Sequence, residues 1–568
     1  MAKEKKPPGQ EGHPVSTFKK EDLVTQLDEV AQYMEILGEN DFKVRAYRKG
    51  ADALRATESA LEDVVSGAVK IAGVGEGLKG AVAEFLATGE VAARAEMAGK
   101  IPAGVLELME VPGLGPKKAM LIQKELGITS VGELEYACRE NRLVTLKGFG
   151  QSIQEKILSS IVEMNNNLGK YRLDEALTRC AELETQLRKH LGKTAEILRV
   201  GAVGRHAEIV ESLEVYFTGT LDQVAAAVGS LEWQDGLEER RATPFKTEIA
   251  GLTGRLRDGT KVTLWVSEER PDQRTLLWLC ADDAVREGLE ATPTDFDGYE
   301  YSWLETEWFD SERKPNADAY RRARDGGVKG IFHCHTDFSD GTATLEQMVK
   351  GAEARGYQYI GISDHSQSAF YAQGLKPDRI LQQHKMIEAL QKKVKIRIFH
   401  GIESDILQDG ALDYDVEVLA AFDFIVGSIH SRFKMDEPSM TSRIVRALGN
   451  PHITMWGHPT GRLLLGRKGY ELDWDEVLEA AVANNVAIEF NANPHRLDVD
   501  WRLGAQLEAH KVRVCINPDA HSVEGLADTI YGEYMAEKAM IPSGQILNLM
   551  SVTQMEKYLW ERKERLRH

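Results

Sequence analysis

The stretch Ile331-Phe332-His333-Cys334-His335-Thr336 sets two histidines two residues apart at the end of an apolar run. In an extended strand, residues i and i+2 face the same side, so both imidazoles can bind one metal ion. Cys334 then lies on the opposite face, where we expect it to join the core. The stretch therefore predicts a buried strand that carries metal ligands at its C-terminal end.

Further histidines and carboxylates follow other short apolar runs of the same segment. His365 comes after Tyr359-Ile360-Gly361-Ile362, His430 after Phe424-Ile425-Val426, and Asp519 after Val512-Arg513-Val514-Cys515-Ile516. Such runs between helical segments are typical of buried parallel strands, whose C-terminal ends meet at one face of a β/α barrel. The candidate metal ligands, in chain order, are His333, His335, Asp340, His365, Glu403, His430, His458, Asp519 and His521.

The chemistry of these side chains indicates a metal centre. A single histidine after a strand is more often a structural residue, but a whole series of ligands at strand ends favours metal binding. Imidazole and carboxylate together suit Mn²⁺ or Zn²⁺, and the ligands are too many for one ion. We therefore predict two or three divalent ions and metal-assisted hydrolysis of a phosphate ester.

Residues 330–568 resemble a PHP domain, which is a phosphoesterase fold built as a distorted β/α barrel with a trinuclear metal centre. The strings Asp409-Gly410-Ala411-Leu412-Asp413-Tyr414, His458-Pro459-Thr460-Gly461-Arg462-Leu463 and Asn491-Ala492-Asn493-Pro494-His495-Arg496-Leu497-Asp498 carry the resemblance further. They resemble the branch of this domain that is fused to bacterial family X DNA polymerases. The resemblance implies a metal-dependent phosphoesterase.

Catalytic roles can be assigned within this predicted barrel. Glu403 is the candidate bridging carboxylate, and we expect His333, His335 and Asp519 to share an ion with it, while the other ligands complete the remaining sites. A guanidinium fork matches phosphate oxygens, which makes two arginines candidate phosphate clamps, with structural ion pairs as the open alternative. The predicted catalytic residues are Glu403, His335, Asp519, Arg462 and Arg496.

Length, composition and cysteine usage fit a large enzyme of the cytoplasm. The chain has 568 residues, of which 42% are hydrophobic, and a net charge of −19. It shows no apolar run long enough to cross a bilayer and no signal-peptide pattern at its start, and its five cysteines form no C-x-x-C pair. We expect no membrane partner, a cytoplasmic location and a monomer. The negative total charge says little about local fields that could attract DNA.

Three Gly-x-Gly turns, each before a helical pattern, predict contacts with nucleic acid. Two glycines permit a tight turn that offers backbone N–H groups to a phosphate at a helix N-terminus, and such a device contacts the DNA backbone rather than its bases. The turns resemble helix-hairpin-helix motifs. Their candidate DNA-binding residues are Gly73, Gly75, Gly113, Gly115, Lys117, Lys118, Gly148 and Gly150.

The resemblance to family X polymerases extends through the N-terminal part of the chain. Leu37-Gly38-Glu39-Asn40-Asp41-Phe42-Lys43-Val44-Arg45-Ala46-Tyr47-Arg48 is similar to the opening of their small DNA-binding domain. In some members this domain carries a lyase lysine in the helix after the first hairpin. An ungapped alignment sets Ala81 there, with Lys79 displaced along the helix, so lyase activity is not expected.

The middle of the chain departs from the family pattern. A family X palm holds two Mg²⁺ ions with three carboxylates, whereas the corresponding positions here are Ser212, Glu214 and Thr263. We therefore expect no Mg²⁺ at the palm and no polymerase activity. The region still predicts an α+β structure, with a helix over 173–191 and strands over 200–203, 213–217 and 261–266.

The sequence therefore predicts a multidomain α/β protein. It combines an all-α helix-hairpin-helix region, a degenerate α+β nucleotidyltransferase-like palm and a C-terminal distorted β/α-barrel PHP domain. Aromatic residues of the linker, such as Trp303, are expected to fill a seam between domains rather than to stack on bases. The predicted boundaries are 1–15 for a disordered tail, 16–95 for a small helical DNA-binding domain, 96–166 for the helix-hairpin-helix region, 167–291 for the palm/thumb-like region, 292–329 for a linker and 330–568 for the PHP domain.

The favoured function is a Mn²⁺- or Zn²⁺-dependent 3′-5′ exonuclease or phosphodiesterase that acts in repair on DNA with gaps or free 3′ ends. One alternative is an active gap-filling polymerase with a PHP exonuclease, which Ser212 and Thr263 disfavour. A second is a small-molecule phosphatase, for example one acting on histidinol phosphate. The three glycine turns disfavour it, because a small substrate does not require them.

Overall fold

The computed structural model describes residues 18–57, 59–102, 104–139, 142–191, 196–229, 231, 233–234, 236–282, 285–286 and 318–565. The predicted tail at 1–15 and the linker aromatics lie outside the described residues. The chain divides into two compact units, residues 1–166 and residues 167–568. No helix of the described part is both long and apolar enough to cross a membrane.

The first unit is helical in the part that the structure describes. Its helices pack around two apolar clusters, one running from Leu23 to Val91 and the other joining Ile36 to residues between Val105 and Ile161. The helices are Lys20–Ile36, Asp41–Ala56, Leu61–Ser66, Glu76–Thr88, Ala92–Ala98, Val105–Met109, Pro116–Leu126, Val131–Arg139 and Gln151–Asn167, with a 3₁₀ turn at Leu143–Thr145.

The second unit begins with a five-stranded mixed sheet, which we call the palm (residues 167–291). In spatial order its strands are Ile197–Val200, Leu213–Thr218, Lys261–Ser267, Ile249–Arg255 and Glu238–Ala242. A short ladder joins Tyr171–Arg172 to Ile209–Val210. Its helices are Leu173–Leu191, Gly201–Gly204, Leu221–Val228 and Gln273–Cys280.

The palm elements match the sequence-based expectations with one exception. The predicted helix over 173–191 and the strands near 213–217 and 261–266 are present. The strand predicted over 200–203 is wrong, because the strand ends at Val200 and a helical turn follows. Gly201 has φ +59, and a Cβ there would lie 2.5 Å from the Glu214 carboxylate, so the backbone bends where only glycine fits.

The rest of the second unit, residues 330–565, is a nearly closed barrel of parallel strands in sequential order, which we call the barrel. A parallel bridge between Cys334 and Ala520 joins its first strand to its last. Because the strands are buried on both faces, some of them are continuous apolar runs rather than alternating sequences, such as Tyr359–Ile362. The strands are Gly330–Ile331, Tyr359–Ile362, Arg397–Asp405, Phe424–Ser428, Met455–Trp456, Ala487–Asn491 and Val514–Asn517.

Helices cover the outside of the barrel, and an aromatic cluster fills part of its core. Phe332, Tyr359, Phe399 and Phe424 pack together with side chains of the C-terminal helix. Cys334 is fully buried, as expected. The helices of this region are Arg322–Asp325, Leu345–Ala354, Pro377–Gln391, Val416–Leu419, Glu437–Leu448, Trp474–Ala483, Gly504–Ala509, Thr529–Lys538 and Val552–Arg565, with 3₁₀ turns at Phe370–Ala372, Trp501–Leu503, Gly525–Asp528, Ser543–Gln545 and Leu547–Leu549.

Candidate metal centre

The nine candidate ligands come together at the C-terminal ends of the barrel strands, around the buried carboxylate of Glu403. Its Oε1 lies 2.9 Å from His458 Nε2 and 3.3 Å from the Nε2 atoms of His333 and His430. Its Oε2 lies 2.8 Å from His365 Nδ1. One carboxylate therefore contacts several imidazoles, which is the geometry expected of a bridging ligand.

The other two carboxylates among the candidate ligands, Asp519 and Asp340, also contact imidazoles of the cluster. Asp519 Oδ1 lies 3.3 Å from His335 Nε2 and 3.5 Å from His333 Nε2. Asp340 contacts His365 at 3.5 Å and His521 at 3.4 Å through its two oxygens. Three groups have ligand atoms close enough to surround one ion: His333, His335 and Asp519; His335, Asp340, His365 and His521; His365, Glu403 and His430.

These spacings fit divalent ions held by nitrogen and oxygen. Bonds of about 2.0–2.1 Å in a tetrahedral site place neighbouring ligand atoms roughly 3.3 Å apart, and the contacts of Asp519 with His333 and His335 are 3.5 and 3.3 Å. Among the described residues, both ring nitrogens of His335 and the Nε2 of His333 are buried without a hydrogen bond. Buried polar atoms of this kind require a partner, and a cation supplies one.

A second layer of carboxylates, which the sequence reading missed, orients the imidazoles. Glu489 Oε1 accepts a hydrogen bond from His333 Nδ1 at 2.8 Å, and Asp405 Oδ1 accepts one from His430 Nδ1 at 2.5 Å. Such bonds fix the tautomer, so that the Nε2 lone pair faces the centre. The signal was a charge inside an apolar strand, Ala487-Ile488-Glu489-Phe490-Asn491, and an acid two residues after Glu403 on the same strand.

The carboxylates and imidazoles of this cluster shift one another's pKa values. Burial alone would raise the pKa of Glu403, but the imidazoles of His430, His333 and His365 hold it well below its usual range. Burial would lower the pKa of His365, yet the Glu403 and Asp340 carboxylates raise it to about 10. His335 has a pKa lowered to about 3 by burial and by the neighbouring His521 and His365. Glu403 thus stays ionised and His335 keeps a free lone pair, whereas a metal ion that binds at His365 must displace a proton.

The two candidate phosphate clamps differ in their surroundings. The guanidinium of Arg462 is buried and bonds to Glu208, to Asp500 Oδ2 at 3.0 Å and to backbone carbonyls, which favours the ion-pair alternative for this residue. Arg496 is partly exposed and has its Nε 3.5 Å from Asp519 Oδ2. The clamp hypothesis is therefore kept for Arg496 and set aside for Arg462.

In the first unit, each predicted Gly-x-Gly turn stands directly before a helix. Gly75 and Gly115 are the N-cap residues of Glu76–Thr88 and Pro116–Leu126, and Gly150 precedes Gln151–Asn167. The first glycine of each turn has φ between +84 and +97. A Cβ would meet nothing within 4 Å at Gly75, Gly113, Gly115, Gly148 or Gly150, so these backbones are open to an approaching group. Lys117 and Lys118 lie in the first turn of their helix.

In the palm, the three positions predicted to correspond to the metal-binding carboxylates are Ser212, Glu214 and Thr263, and only Glu214 is a carboxylate. Glu214 is paired with Thr263 on neighbouring parallel strands. The Glu214 carboxylate accepts a hydrogen bond from Trp265 Nε1 at 2.9 Å, and Thr263 Oγ1 bonds to Thr253 Oγ1 at 2.9 Å. Glu214 and Thr263 are thus bound to their own neighbours, whereas the hydroxyl of Ser212 is buried without a hydrogen-bond partner among the described residues.

Models of known families match three parts of the chain. Residues 18–91 match a helix-hairpin-helix domain, residues 105–163 a SAM-like helix-hairpin-helix tandem, and residues 332–493 a PHP domain. The helix-hairpin-helix region and the PHP barrel predicted from the sequence are thereby confirmed.

Curated relatives match the chain over two different extents. The DNA polymerase/3′-5′ exonuclease PolX of Bacillus subtilis is 31% identical over 573 residues, covering 95% of this chain and 99% of that protein. A probable phosphatase of Acetivibrio thermocellus is 26% identical over 249 residues, covering 41% of this chain and 96% of that protein. One of Thermoanaerobacter sp. (strain X514) is 27% identical over 252 residues, with 41% and 95% covered. The similarity to the phosphatases thus covers about two-fifths of the chain.

Proposed function

Because the chain belongs to the PolX family of DNA polymerase/3′-5′ exonucleases, we propose that its barrel is a metal-dependent 3′-5′ exonuclease acting on DNA. The observation that carries the proposal is the buried Glu403 carboxylate within 3.3 Å of imidazoles from four ligand positions. Divalent ions bound there supply charge neutralisation at the phosphate and activation of water.

Each group of the chain has a defined task in this proposal. Glu403 and Asp519 provide anionic ligands between the imidazoles. Glu489 and Asp405 accept hydrogen bonds from the Nδ1–H groups of His333 and His430, which keeps the Nε2 atoms directed at the centre. Arg496, beside Asp519, orients the phosphodiester through its guanidinium. The proposed ions are two or three, of Mn²⁺ or Zn²⁺, since histidine and carboxylate suit both.

The substrate is proposed to be DNA with a gap or a free 3′ end. The open glycine turns of the first unit supply backbone N–H groups and lysines for phosphates, which supports a polynucleotide over a small phosphate ester. The palm is proposed to have lost nucleotidyl transfer, because Ser212 and Thr263 cannot replace anionic ligands of Mg²⁺. A role in repair, a monomeric state and a cytoplasmic location complete the proposal.

One experiment separates this function from its alternatives. Metal-stripped protein is reconstituted with Mn²⁺ or Zn²⁺ and incubated with end-labelled single-stranded and gapped DNA, with and without dNTPs, and in parallel with small phosphomonoesters. We expect stepwise shortening from the 3′ end that needs the metal, and no primer extension when dNTPs are present. Preferred hydrolysis of the phosphomonoester would favour the phosphatase alternative, and templated extension would favour an active polymerase.

A further inference from the structure

One palm carboxylate, Glu208, reaches into the barrel. It lies between the helix Gly201–Gly204 and the strand Ile209–Val210, and it is only 8% exposed. One oxygen bonds to the Nη2 of Arg462, and the other accepts a hydrogen bond from Arg502 Nη1 at 2.9 Å. A single acid of the palm thus joins two guanidinium groups of the barrel.

The partner Arg462 is bonded to the loop that carries Arg496. Its Nε donates to the carbonyl oxygen of Arg496 at 3.0 Å, and its Nη2 donates to that of Leu497. Its Nη1 binds Asp500 Oδ2 at 3.0 Å. The position of this guanidinium therefore sets the position of the backbone from which the Arg496 side chain extends to Asp519.

The same segment is connected to the ligand His458. Thr460, two residues further on, donates its backbone N–H and its hydroxyl to Asp498, each at 2.9 Å. His458 itself donates its backbone N–H to Glu489 Oε2 at 2.7 Å. These bonds hold the His458 segment without Glu208, whereas the carbonyl oxygens of Arg496 and Leu497 bond to the Arg462 guanidinium that Glu208 holds.

We propose that Glu208 is a positioning residue for DNA cleavage, acting through Arg462 to hold Arg496 at the phosphodiester. The inference rests on the proposed exonuclease function of the barrel. It gives the palm a role in the hydrolytic reaction although the palm lacks its own metal ligands. A buried carboxylate between two arginines is suited to this, because its removal leaves Asp500, which bonds to both Arg462 and Arg502, to balance the two positive charges and so weakens the hold on the Arg462 guanidinium.

The contact is also fixed from the palm side, which makes it a rigid connection. Beside Glu208, the imidazole of His206 stacks on Tyr534 with ring centroids 3.7 Å apart. The buried Lys538 donates to the carbonyl oxygen of His206 at 3.2 Å. The loop that presents Glu208 is therefore held on the barrel by contacts that a Glu208 substitution leaves in place.

The test compares Glu208→Gln with Glu211→Gln in the full chain. Glu211 is a matched control in the same segment, because its side chain is 68% exposed and pairs with Lys170 at 3.1 Å, away from the barrel arginines that Glu208 contacts. We expect Glu208→Gln to lower kcat for 3′-5′ cleavage about tenfold, with KM and bound metal changed less than about twofold, as for other groups that orient a reacting residue. Cleavage by the wild type and the control shows separately that the proposed function holds.

Two further measurements decide whether the effect runs through Arg496. In an Arg496→Ala background, Glu208→Gln should change kcat less than about twofold, because coupled residues are not additive. Hydrogen exchange in metal-free protein should become faster in residues 491–499 of Glu208→Gln and stay unchanged in Glu211→Gln. Glu208→Asp, which keeps the charge, should show a smaller loss and serves if the glutamine variant folds poorly. A wild-type kcat in both Glu208 variants, or a full tenfold loss in the Arg496→Ala background, overturns the proposal.

Discussion

In both the palm and the barrel, two parallel segments bring a pair of side chains beside each other. In the barrel pair both side chains are of a kind that binds metal ions, whereas in the palm pair only one is. In the palm, Glu214 is paired with Thr263, and each bonds to a neighbour, Trp265 or Thr253. In the barrel, His365 pairs with Glu403, and further imidazoles surround the same carboxylate. Strand geometry brings groups together, and the chemistry of those groups decides whether an ion is held.

The two regions also differ in how their polar groups are supported. Behind the barrel ligands stand Glu489 and Asp405, which accept hydrogen bonds from the far sides of the imidazoles. In the palm, the hydroxyls of Thr253 and Thr263 bond to each other, and no carboxylate supports them from behind in the bonds described above. A buried ligand set is kept available only when a second layer of acceptors holds it in place.

The largest expected effect concerns the palm. Nucleotidyl transfer requires metals that neutralise the triphosphate, and we propose that Ser212 and Thr263 stand at two of the three positions that carry metal-binding carboxylates in a family X palm. Because the loss of one transition-state electrostatic contact costs about a hundred-fold or more, we expect no measurable templated extension. The measurement uses Glu403→Ala, which removes degradation of the primer. If this variant extended a primer at the rate of a repair polymerase, the palm would hold catalytic metal ions, contrary to our prediction.

The next effect concerns the barrel. His335→Ala removes a neutral nitrogen from two of the ligand groups, so we expect phosphodiesterase activity to fall on the order of a hundred-fold or more and bound metal to decrease, while the fold survives. The control is His510→Ala, whose imidazole pairs with Asp475 outside the cluster. Metal analysis and circular dichroism accompany the assay. Full activity of His335→Ala at limiting Mn²⁺ would refute the assignment.

Much of this difference could be read from the sequence. Apolar runs predicted the barrel strands, and the histidine pair 333/335 predicted where ligands lie, because strand periodicity fixes side-chain direction. The hydrogen bond between Glu489 and His333 could not be predicted, because the two residues are far apart in the sequence and meet only in the folded barrel. For the same reason, the sequence left open whether Arg462 is a phosphate clamp or part of a structural ion pair. Its partner Glu208 is 254 residues away in the chain.

Support by the second layer can be tested at Glu489. Glu489→Gln keeps the size of the side chain and removes the charge beside His333 Nδ1, so we expect metal affinity to fall about ten- to a hundred-fold. Chelator competition measures the affinity. Glu388→Gln, at a side chain 64% exposed on a barrel helix, is the control and should bind metal normally. If both variants bound metal with the same affinity, Glu489 would not support metal binding through His333.

Binding of DNA should separate from hydrolysis when the first unit is deleted. A chain that begins at residue 167 keeps the compact second unit, whereas a cut at 330 would remove the buried Tyr320, whose hydroxyl bonds to Glu533 at 2.5 Å. We expect the shorter chain to hydrolyse a generic phosphodiester at the full rate and to bind gapped DNA at least about tenfold more weakly, with a smaller salt dependence. Lys117→Gln with Lys118→Gln in the full chain should move in the same direction. Equal affinity for gapped DNA would show that the glycine turns do not contribute.

The smallest expected effect is a pH dependence where palm and barrel residues face each other. Burial, followed by the negative charge of Asp174 on the palm helix, raises the pKa of Asp528 to about 7, while Arg355 acts in the opposite direction. An unfolded aspartate titrates near about 3.9, so between these pH values the folded chain binds the extra proton. The contribution of Asp528 to the free energy of unfolding therefore falls as pH rises from about 4 to 7 and is constant above that range.

Asp528→Asn cannot ionise and should therefore be more stable than the wild type by an amount that grows from pH 4 to pH 7. Asp528 is half-buried, so solvent screens the effect, and we expect a gain of about 1–2 kcal/mol rather than the full value of the shift. Urea unfolding at several pH values measures the difference, with Asp378→Asn as the exposed control whose curve should run parallel to that of the wild type. If Asp174→Asn lowers the benefit of Asp528→Asn, the charge of the palm is part of the cause. If the stability gained by Asp528→Asn did not change with pH, Asp528 would be ionised in the folded chain throughout this range. The charge of Asp174 would then have no effect on the pKa of Asp528.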